Sequence, residues 1–242
     1  MKLEKTEMKF FLAIPHLISL LNLSFGFIAI LLILNGIIQL SSILIMLAVV
    51  CDSIDGWLGR KIGIKDEHGF TTNIDSLADV VSFGIAPGIL LYSIGKLYSL
   101  EISLLAAVIS LFVAICGVLR LTRFNVMVEK LDYGIFIGLP IPTVGFLLST
   151  FILSGFFNIY LSLVLMIAIG ILMISNVKYP KFSNIKIITF SAILILLIII
   201  FYLLNLFEFS SISLLAINIF ATILFVLTAG YVLYHCIKDL YS

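Results

Sequence analysis

The residues of this sequence that are best suited to chemistry are aspartates at helical spacings within apolar stretches. Asp52 and Asp55 are three residues apart, and Asp75 and Asp79 are four apart, so each pair projects from one face of a helix. If these faces meet, the carboxylates repel each other in a low-dielectric interior unless they are protonated or bridged by a cation. Oxygen ligands without His or Cys favour Mg²⁺, Mn²⁺ or Ca²⁺. A cation held there can offset negative charge on a transferring phosphoryl group.

Glycines and arginines accompany the aspartates. Gly56 and Gly59 lie one helical turn apart beside Asp55, where missing side chains let a ligand approach the backbone. Close packing of helices through small residues is the alternative for them. The arginines at the same depth can bind a carboxylate or a phosphate, pair with the aspartates, or anchor helix ends at the lipid headgroups; they are Arg60, Arg120 and Arg123.

Smaller polar residues complete the candidate set. Asn125 follows the arginine pair and can add a hydrogen bond to a bound substrate. Ser19 and Asn22 are one turn apart in the first apolar stretch and share a face with His16. They point either toward a ligand or toward a neighbouring helix, because polar side chains often link helices within membranes.

The elements that position these residues must lie in a membrane. The 242 residues are 62% hydrophobic and 11% charged, a composition that departs strongly from that of soluble domains. Apolar runs long enough to span a bilayer recur along almost the whole chain. We predict eight transmembrane helices, over residues 10–34, 38–58, 75–97, 102–124, 140–157, 159–175, 187–206 and 212–234.

The placement of charge orients this bundle. With the N-terminus in the cytoplasm, only Lys96 among the 14 lysines and arginines falls on the opposite side, as the positive-inside rule requires. We therefore expect both termini and the aspartates on the cytoplasmic side. A net charge of +1 argues against nucleic acid as a partner.

The helices divide into two groups. Residues 175–186, SNVKYPKFSNIK, form a basic, aromatic-bearing connection of the kind that lies at the lipid interface. The helices after it carry no buried charge. We predict an all-α membrane protein with a six-helix catalytic core over residues 1–176, followed by the interfacial connection and two extra transmembrane helices over residues 177–242.

A long motif gives this chain a family resemblance. Asp52-Ser-Ile-Asp55-Gly56-Trp-Leu-Gly59-Arg60, followed by Asp75-Ser-Leu-Ala-Asp79, resembles the signature of the CDP-alcohol phosphotransferases, also called CDP-alcohol phosphatidyltransferases. That signature reads Asp-x-x-Asp-Gly-x-x-Ala-Arg, eight residues, then Gly-x-x-x-Asp-x-x-x-Asp. Here Gly59 replaces the alanine, the interval before Asp75 is two residues longer, and Thr71 stands where the later glycine is expected, with Gly69 two residues earlier.

Further segments resemble the phosphatidylserine synthase branch of that family. They are residues 75–91, DSLADVVSFGIAPGILL, residues 117–125, GVLRLTRFN, and residues 138–145, GLPIPTVG. The opening stretch PHLISLLNLSFGF is also similar to the first helix of that branch. The resemblance covers roughly residues 10–175 and leaves out the last two helices.

The resemblance implies a role for each motif residue. Asp52, Asp55 and Asp75 would ligate a divalent cation, Mg²⁺ or Mn²⁺, with Ca²⁺ as a further option. Asp79 would contribute to the metal site and remove the proton of the incoming hydroxyl. The nucleotide would be held by Asp55 together with Gly56, Gly59 and Arg60.

The resemblance also implies the reaction and its setting. The substrates would be CDP-diacylglycerol, or a related CDP-lipid, and L-serine, and the products phosphatidylserine and CMP. Arg120 and Arg123 are at the right depth to bind the serine carboxylate or the lipid phosphate, with Asn125, Asn22 and Ser19 as further substrate contacts. Family members are typically homodimers among membrane lipids, and the plasma membrane is the expected location because both substrates are available there.

Three other functions remain open. An isoprenoid-ether donor would make the protein an archaetidylserine synthase, and aliphatic helices do not distinguish the two lipid types. Another acceptor alcohol would keep the chemistry and change the product. A cation-coupled transporter is the most distant alternative, because transporter sites usually lie near the midplane within repeated halves, and no repeat is evident in the sequence.

Overall fold

The computed structural model describes residues 14–62, 69–127, 135–180, 185–207 and 212–240. Within these ranges the regular elements are helices, apart from two short strands. In chain order the elements are α1 Ile14–Leu34, α2 Ile38–Ile62, α3 Phe70–Asp79, a π-helical segment Val80–Ile85, α4 Ala86–Gly95, α5 Leu100–Met127, β1 Ile135–Ile137, α6 Pro142–Leu153, α7 Ile159–Ile174, β2 Lys178–Pro180, α8 Ile185–Leu206 and α9 Ile212–Leu240. The elements α3, π-helical segment and α4 form one continuous helix, Phe70–Gly95.

This architecture is the predicted all-α polytopic membrane fold. Six of the described helices are long and apolar enough to cross a bilayer: α1, α2, the helix Phe70–Gly95, α5, α8 and α9. Their outward faces expose large apolar side chains, such as Leu100 with 76% and Val108 with 66% of their surface accessible. Apolar surface on this scale requires lipid as its solvent.

The helix α6 is shorter than predicted, whereas α7 matches its predicted range to within one residue. With 12 and 16 residues, they extend about 18 and 24 Å, which is less than the roughly 30 Å of a hydrocarbon core. The prediction for α6 ran on to residue 157, because Phe156 and Phe157 keep the sequence apolar. The structure ends α6 at Leu153, where Ser154 turns to extended backbone, and Asn158 caps the next helix by accepting a hydrogen bond from the Leu161 amide.

A tight turn places α1 and α2 side by side. Gly36 adopts φ +77°, its amide bonds to the Ile33 carbonyl, and the Ile37 amide bonds to the Leu32 carbonyl. These two bonds form a Schellman motif, which ends α1 and favours glycine at the left-handed position. The turn aligns the polar face of α1 with the aspartates at the far end of α2.

A π-helical segment interrupts the helix that carries Asp75 and Asp79. Pro87 lies in the first turn of α4 and has no amide hydrogen to donate, so regular α-helical bonding cannot continue through it. The π-helical residues Val80–Ile85 precede it directly. Phe83 of this segment and Leu90 of α4 are fully buried in the main core with Val113 of α5 and Leu147 of α6.

Of the last two helices, α8 packs against the helix that carries Asp52 and Asp55, and α9 packs against α8 and α6. A second apolar cluster joins Ile43 and Met46 of α2 to Phe146 of α6, Ile198 of α8 and Ala221 of α9. Here α8 supports α2 from the side, and α9 lies behind α8 and α6.

A small antiparallel sheet links the C-terminal region to the end of α5. Ile135, Phe136 and Ile137 of β1 pair with Pro180, Tyr179 and Lys178 of β2. The sequence pattern does not predict these strands, because three residues carry no periodic signal. The Tyr231 hydroxyl of α9 donates a hydrogen bond of 2.9 Å to the Pro180 carbonyl, which attaches the sheet to the final helix.

Candidate active site

The carboxylates of Asp52, Asp55 and Asp75 form a cluster between α2 and α3. One oxygen atom from each of the three side chains lies within 4.8 Å of the others. Asp55 is buried, and Asp52 and Asp75 are half-buried. The helical spacings within each pair and the position of α3 beside α2 thus bring together acids that are 23 residues apart or fewer in the sequence.

Asp79 is a neighbour of this cluster rather than one of its members among the described residues. It lies one turn beyond Asp75 and is only 4% exposed. Its Oδ1 atom accepts a hydrogen bond of 3.0 Å from Asn22 Nδ2, and it interacts electrostatically with Asp52 and Asp75. The expected four-carboxylate metal set is therefore a group of three beside a fourth, and ligation by Asp79 stays a prediction.

The polar face of α1 holds the carboxylates in place. Ser19 Oγ donates a hydrogen bond of 2.7 Å to Asp55 Oδ2, and Asn22 donates to Asp79 as described. The sequence left two directions open for Ser19 and Asn22, toward a ligand or toward a neighbouring helix. In the structure both side chains donate hydrogen bonds to the aspartates, and a contact with substrate stays a prediction.

Close packing sets the depth of these contacts. Gly26 of α1 lies against Ser82 of the π-helical segment, and a Cβ atom at position 26 would come within 2.7 Å of Ser82 Cα. Ser82 Oγ in turn donates a hydrogen bond of 2.9 Å to the Asn22 carbonyl. Glycine at position 26 therefore permits the approach that brings Asn22 to Asp79.

The start of α3 is tied to α1 at the place where the motif departs from the family pattern. His16 Nε2 and Thr71 Oγ1 are 2.9 Å apart and share a hydrogen bond. The His16 ring meets Phe70 edge-on, with ring centroids 5.2 Å apart. Thr71, which stands where a glycine is expected, thus binds a neighbouring helix, and Gly69 supplies the left-handed backbone, φ +70°, just before α3.

Two side chains of α5 approach the cluster from the other side. Arg120 is 4% exposed and interacts electrostatically with Asp79, Asp52 and Asp75. Its guanidinium carbon lies 5.3 Å from the centroid of the Phe124 ring and 5.1 Å from that of Phe136. Asn125 Nδ2 donates a hydrogen bond of 2.9 Å to Ser76 Oγ, next to Asp75.

Arg123 contacts backbone in this structure, and its predicted role in substrate binding stays a prediction. Its guanidinium donates hydrogen bonds to the backbone carbonyls of Ile137, Met173, Ile174 and Ser175. These bonds link α5 to α7 and to β1.

The predicted nucleotide-binding glycines lie on the C-terminal part of α2. A Cβ atom at Gly59 would meet no described atom within 4 Å, so no described side chain covers the backbone there. Gly56 is exposed on the same helix. The side chain of Arg60 and the lengthened loop with Asp66, Glu67 and His68 lie outside the described residues.

Comparison with known proteins decides the family. The model of the CDP-alcohol phosphatidyltransferase family matches residues 12–175, which include the aspartate cluster, Asp79 and Arg120. The chain belongs to the CDP-alcohol phosphatidyltransferase family.

Several relatives within this family resemble much of the chain. Archaetidylserine synthase from Methanothermobacter thermautotrophicus is 43% identical over 171 residues, which cover 71% of each protein. CDP-diacylglycerol–serine O-phosphatidyltransferase from Methanocaldococcus jannaschii is 41% identical over 174 residues, covering 72% of this chain and 76% of the relative. The enzyme of the same name from Bacillus subtilis is 37% identical over 172 residues, covering 71% of this chain and 92% of the relative.

The aspartate cluster fits the divalent cation that CDP-alcohol phosphatidyltransferases use. Its donors are carboxylate oxygens alone, which suit hard cations. Among the described residues, the buried Oδ1 atom of Asp75 has no hydrogen-bond partner. A buried carboxylate oxygen left without a partner is costly, and a cation beside Asp52 and Asp55 would satisfy it.

Several contacts of this phosphatidyltransferase site could not be read from the motif. Ser76, which accepts the Asn125 bond, lies inside the motif at a variable position. Ser82 is seven residues after Asp75, which would place both on one face of a regular α-helix. The π-helical segment, which begins between them, makes this spacing an unreliable guide to where Ser82 points. Phe136 lies in a strand without a sequence signal, and its place over Arg120 depends on tertiary packing.

Proposed function

We propose that this chain transfers a phosphatidyl-type group from a CDP-activated lipid to the hydroxyl of L-serine, releasing CMP. The observation that carries the proposal is the cluster of Asp52, Asp55 and Asp75 beside the buried, oriented carboxylate of Asp79. Support for serine as the acceptor comes from the relatives, which are named for transfer to serine or for making archaetidylserine.

The donor lipid has two candidates. CDP-diacylglycerol is favoured by the names of the relatives from M. jannaschii and B. subtilis. A CDP-activated ether lipid is favoured by the 43% identity with archaetidylserine synthase. Both candidates present the same pyrophosphate and cytidine to the site, so the proposed chemistry is the same for the two lipids.

The proposed mechanism places proton removal at Asp79. Asp52, Asp55 and Asp75 would hold a divalent cation, which when bound offsets negative charge on the pyrophosphate and the transferring phosphorus. Asp79 accepts the proton of the serine hydroxyl, and Asn22 fixes the carboxylate for that transfer. The serine oxygen then forms a bond to the lipid-bearing phosphorus while the bond from that phosphorus to the CMP oxygen breaks.

Neighbouring residues would bind the two substrates. Arg120 faces the aspartates from α5, and among the described residues its buried Nε atom has no hydrogen-bond partner. A guanidinium with a donor to spare suits the serine carboxylate, and Asn125 would add a hydrogen bond beside Asp75. Gly56, Gly59 and Arg60 would line the nucleotide side of the site, where no described side chain covers the α2 backbone at Gly59.

The setting of this enzyme is also part of the proposal. The distribution of lysine and arginine supports cytoplasmic termini and a cytoplasmic site, in a plasma membrane. Residues 1–176 would form the catalytic core, and residues 177–242 the added helices. Support for that division comes from the family model, which matches residues 12–175 and leaves out the last two helices. A homodimer is proposed as the working form.

The test is CMP release by the purified, full-length protein in detergent or vesicles. CDP-diacylglycerol and its ether-lipid counterpart are each offered with Mn²⁺ or Mg²⁺, with and without L-serine. Two other alcohols serve as control acceptors. They are ethanolamine, which lacks the carboxylate of serine, and glycerol 3-phosphate. We expect CMP release that requires serine and a divalent cation, and little release with ethanolamine.

Variants assign the proposed roles. D79N should abolish turnover while CDP-lipid binding persists, since the isosteric amide cannot accept the proton. D239N, at the end of α9, is the matched control and should retain activity. Release of CMP only with another alcohol would overturn serine as the acceptor, and full activity in D79N would overturn the general base.

A further inference from the structure

Arg123 of α5 joins the end of one helix to the end of another. Its Nη1 donates to the Ile174 carbonyl at 3.2 Å, and its Nη2 donates to the carbonyls of Met173 at 3.1 Å and Ser175 at 2.9 Å. These carbonyls lie in the last turn of α7 and at its C-cap, Ser175, where backbone acceptors lack intrahelical partners and where the helix dipole favours a cation. One side chain thus caps α7 from α5.

The same guanidinium also holds β1. Nη2 of Arg123 donates a hydrogen bond of 2.9 Å to the Ile137 carbonyl. Gly138 follows Ile137 with φ +77°, a backbone conformation that favours glycine. A Cβ atom at position 138 would collide with the Met173 carbonyl oxygen and come within 2.5 Å of Arg123 Nη2. The backbone of residues 137, 138 and 173–175 therefore surrounds the guanidinium of Arg123, and we call this surround the Arg123 socket. A side chain at position 138 would fill the space that the guanidinium occupies.

The Arg123 socket borders the acceptor side of the proposed active site. Phe136, the residue before Ile137, lies over the guanidinium of Arg120 at 5.1 Å. Arg120 itself is one turn before Arg123 on α5. Holding β1 in the Arg123 socket therefore fixes the ring against which Arg120 packs, and holding α7 fixes the direction in which this end of α5 points.

We propose that Arg123 is a positioning residue for the phosphatidyl transfer, which sets the place of Arg120 through the Arg123 socket and so controls the affinity for the acceptor. This inference rests on the proposed acceptor role of Arg120. It requires no contact between Arg123 and substrate, because the effect is transmitted through the bonds to the carbonyls of β1 and α7. It also makes Gly138 part of the same device, although Gly138 has no chemistry of its own.

The proposal predicts a separation of kinetic constants. In R123Q, Arg120 loses its support while the aspartates of α2 and α3 keep their contacts with α1. We expect the KM for the acceptor to rise by about tenfold or more, since small displacements of a positioning group are costly, and the KM for the CDP-lipid to change little. R123K, which keeps a cation at the α7 terminus, should recover part of the acceptor affinity.

Gly138 supplies a second, independent variant. G138A should raise the KM for the acceptor as R123Q does, because the methyl group displaces the guanidinium. The double variant should be no worse than the more impaired single one, since residues that act through one device are not additive. G36A is the matched control: Gly36 also has φ +77°, but its Cβ atom would meet no described atom within 4 Å, so it carries the backbone strain alone.

The experiment measures CMP release by the full-length protein while acceptor and CDP-lipid are varied separately, using whichever acceptor the wild type accepts. A selective rise in the acceptor KM in R123Q and G138A, absent in G36A, supports the inference. Equal KM values with only a lower melting temperature would make Arg123 a purely structural residue and overturn it, as would additive effects in the double variant. If the wild type uses an alcohol other than serine, the proposal of serine as the acceptor fails. The proposal for Arg123 is then still tested, by comparing the KM values of the variants for that alcohol. Should R123Q not fold, R123K and G138A decide the question.

Discussion

Asn22 Nδ2 donates a hydrogen bond of 3.0 Å to Asp79 Oδ1, and the carbonyl of the same asparagine accepts one of 2.9 Å from Ser82 Oγ. The first helix therefore contacts the helix of the proposed base at Asp79 itself and again one turn later, at Ser82. Such a double contact fixes both the height of Asp79 and the direction of its carboxylate. In this phosphatidyltransferase, the first helix acts as a frame for the acids of the next two.

Asn22→Ala removes the donor that orients Asp79. We expect kcat to fall by about 10- to 100-fold, the usual cost of losing an outer partner of a functional carboxylate, with a smaller change in either KM. Asn35→Ala is the control, because Asn35 lies just past the end of α1 and donates to the exposed Leu31 carbonyl. Equal kcat values in the two variants, measured by CMP release, would contradict the orienting role of Asn22.

Gly26→Ala places a methyl group against Ser82, where the backbone of α1 meets the π-helical segment. Overpacking of this kind costs about 1–3 kcal/mol, and here it also pushes Asn22 away from Asp79. We expect a lower melting temperature together with reduced kcat. Gly230→Ala in α9, whose Cβ atom would meet no described atom within 4 Å, should instead gain up to about 1 kcal/mol from helix propensity. A silent Gly26→Ala would disprove the close approach.

Removal of the divalent cation should stop the reaction reversibly. A chelator is expected to abolish CMP release, and Mn²⁺ or Mg²⁺ to restore it, because the cluster of Asp52, Asp55 and Asp75 supplies the negative charge that binds the ion. Asp75→Asn should raise the half-saturating Mn²⁺ concentration by at least about tenfold, since even outer-shell losses cost that much. An unchanged Mn²⁺ dependence in Asp75→Asn would place the metal elsewhere.

Tyr179 of β2 is fully buried, and among the described residues its hydroxyl has no hydrogen-bond partner. Burial raises the pKa of this hydroxyl above its usual value, so it stays neutral in the folded protein. Tyr179→Phe removes an unsatisfied buried group, and we expect the free energy of unfolding to rise by about 1 kcal/mol. Tyr231→Phe should lower it by about 1 kcal/mol, because that hydroxyl bonds to the Pro180 carbonyl.

The pH dependence of unfolding gives a second check on Tyr179. Because the pKa is raised in the folded state, the unfolded protein releases this proton first, and stability falls as the pH rises above about 10, the usual tyrosine value. Tyr179→Phe should lose this part of the alkaline destabilisation. Identical alkaline slopes for wild type and variant, from unfolding in detergent, would show that the hydroxyl is not buried.

The parts of the structure that sequence could predict are those that depend on local spacing. The pairs Asp52 with Asp55 and Asp75 with Asp79 follow from helical periodicity, and the long apolar helices follow from hydropathy. Hydropathy failed at Phe156, which is apolar but lies outside a helix. It also failed at Thr71, which is polar but lies within a helix, so that α3 begins at Phe70 rather than at Asp75. The contacts of Ser19 and Arg123 depend on which atoms of distant segments lie opposite them. A single sequence does not indicate which distant segments come into contact.

The π-helical segment Val80–Ile85 has a consequence for how this helix tolerates change. Each residue of an α-helix advances about 100° around the axis, and a π turn contains an extra residue, so α4 is rotated relative to a regular continuation of α3. On the α3 side, Asp75 and Asp79 face α1 and α2. On the α4 side, which is rotated, the Gly88 carbonyl accepts a hydrogen bond from the Ser110 hydroxyl of α5. Deletion of one residue within the segment would change no side chain on either face but would rotate α3 relative to α4. With α4 packed correctly against α5, Asp75 and Asp79 would then point away from their partners on α1 and α2. Length, and not only composition, is therefore under constraint between Asp79 and Pro87.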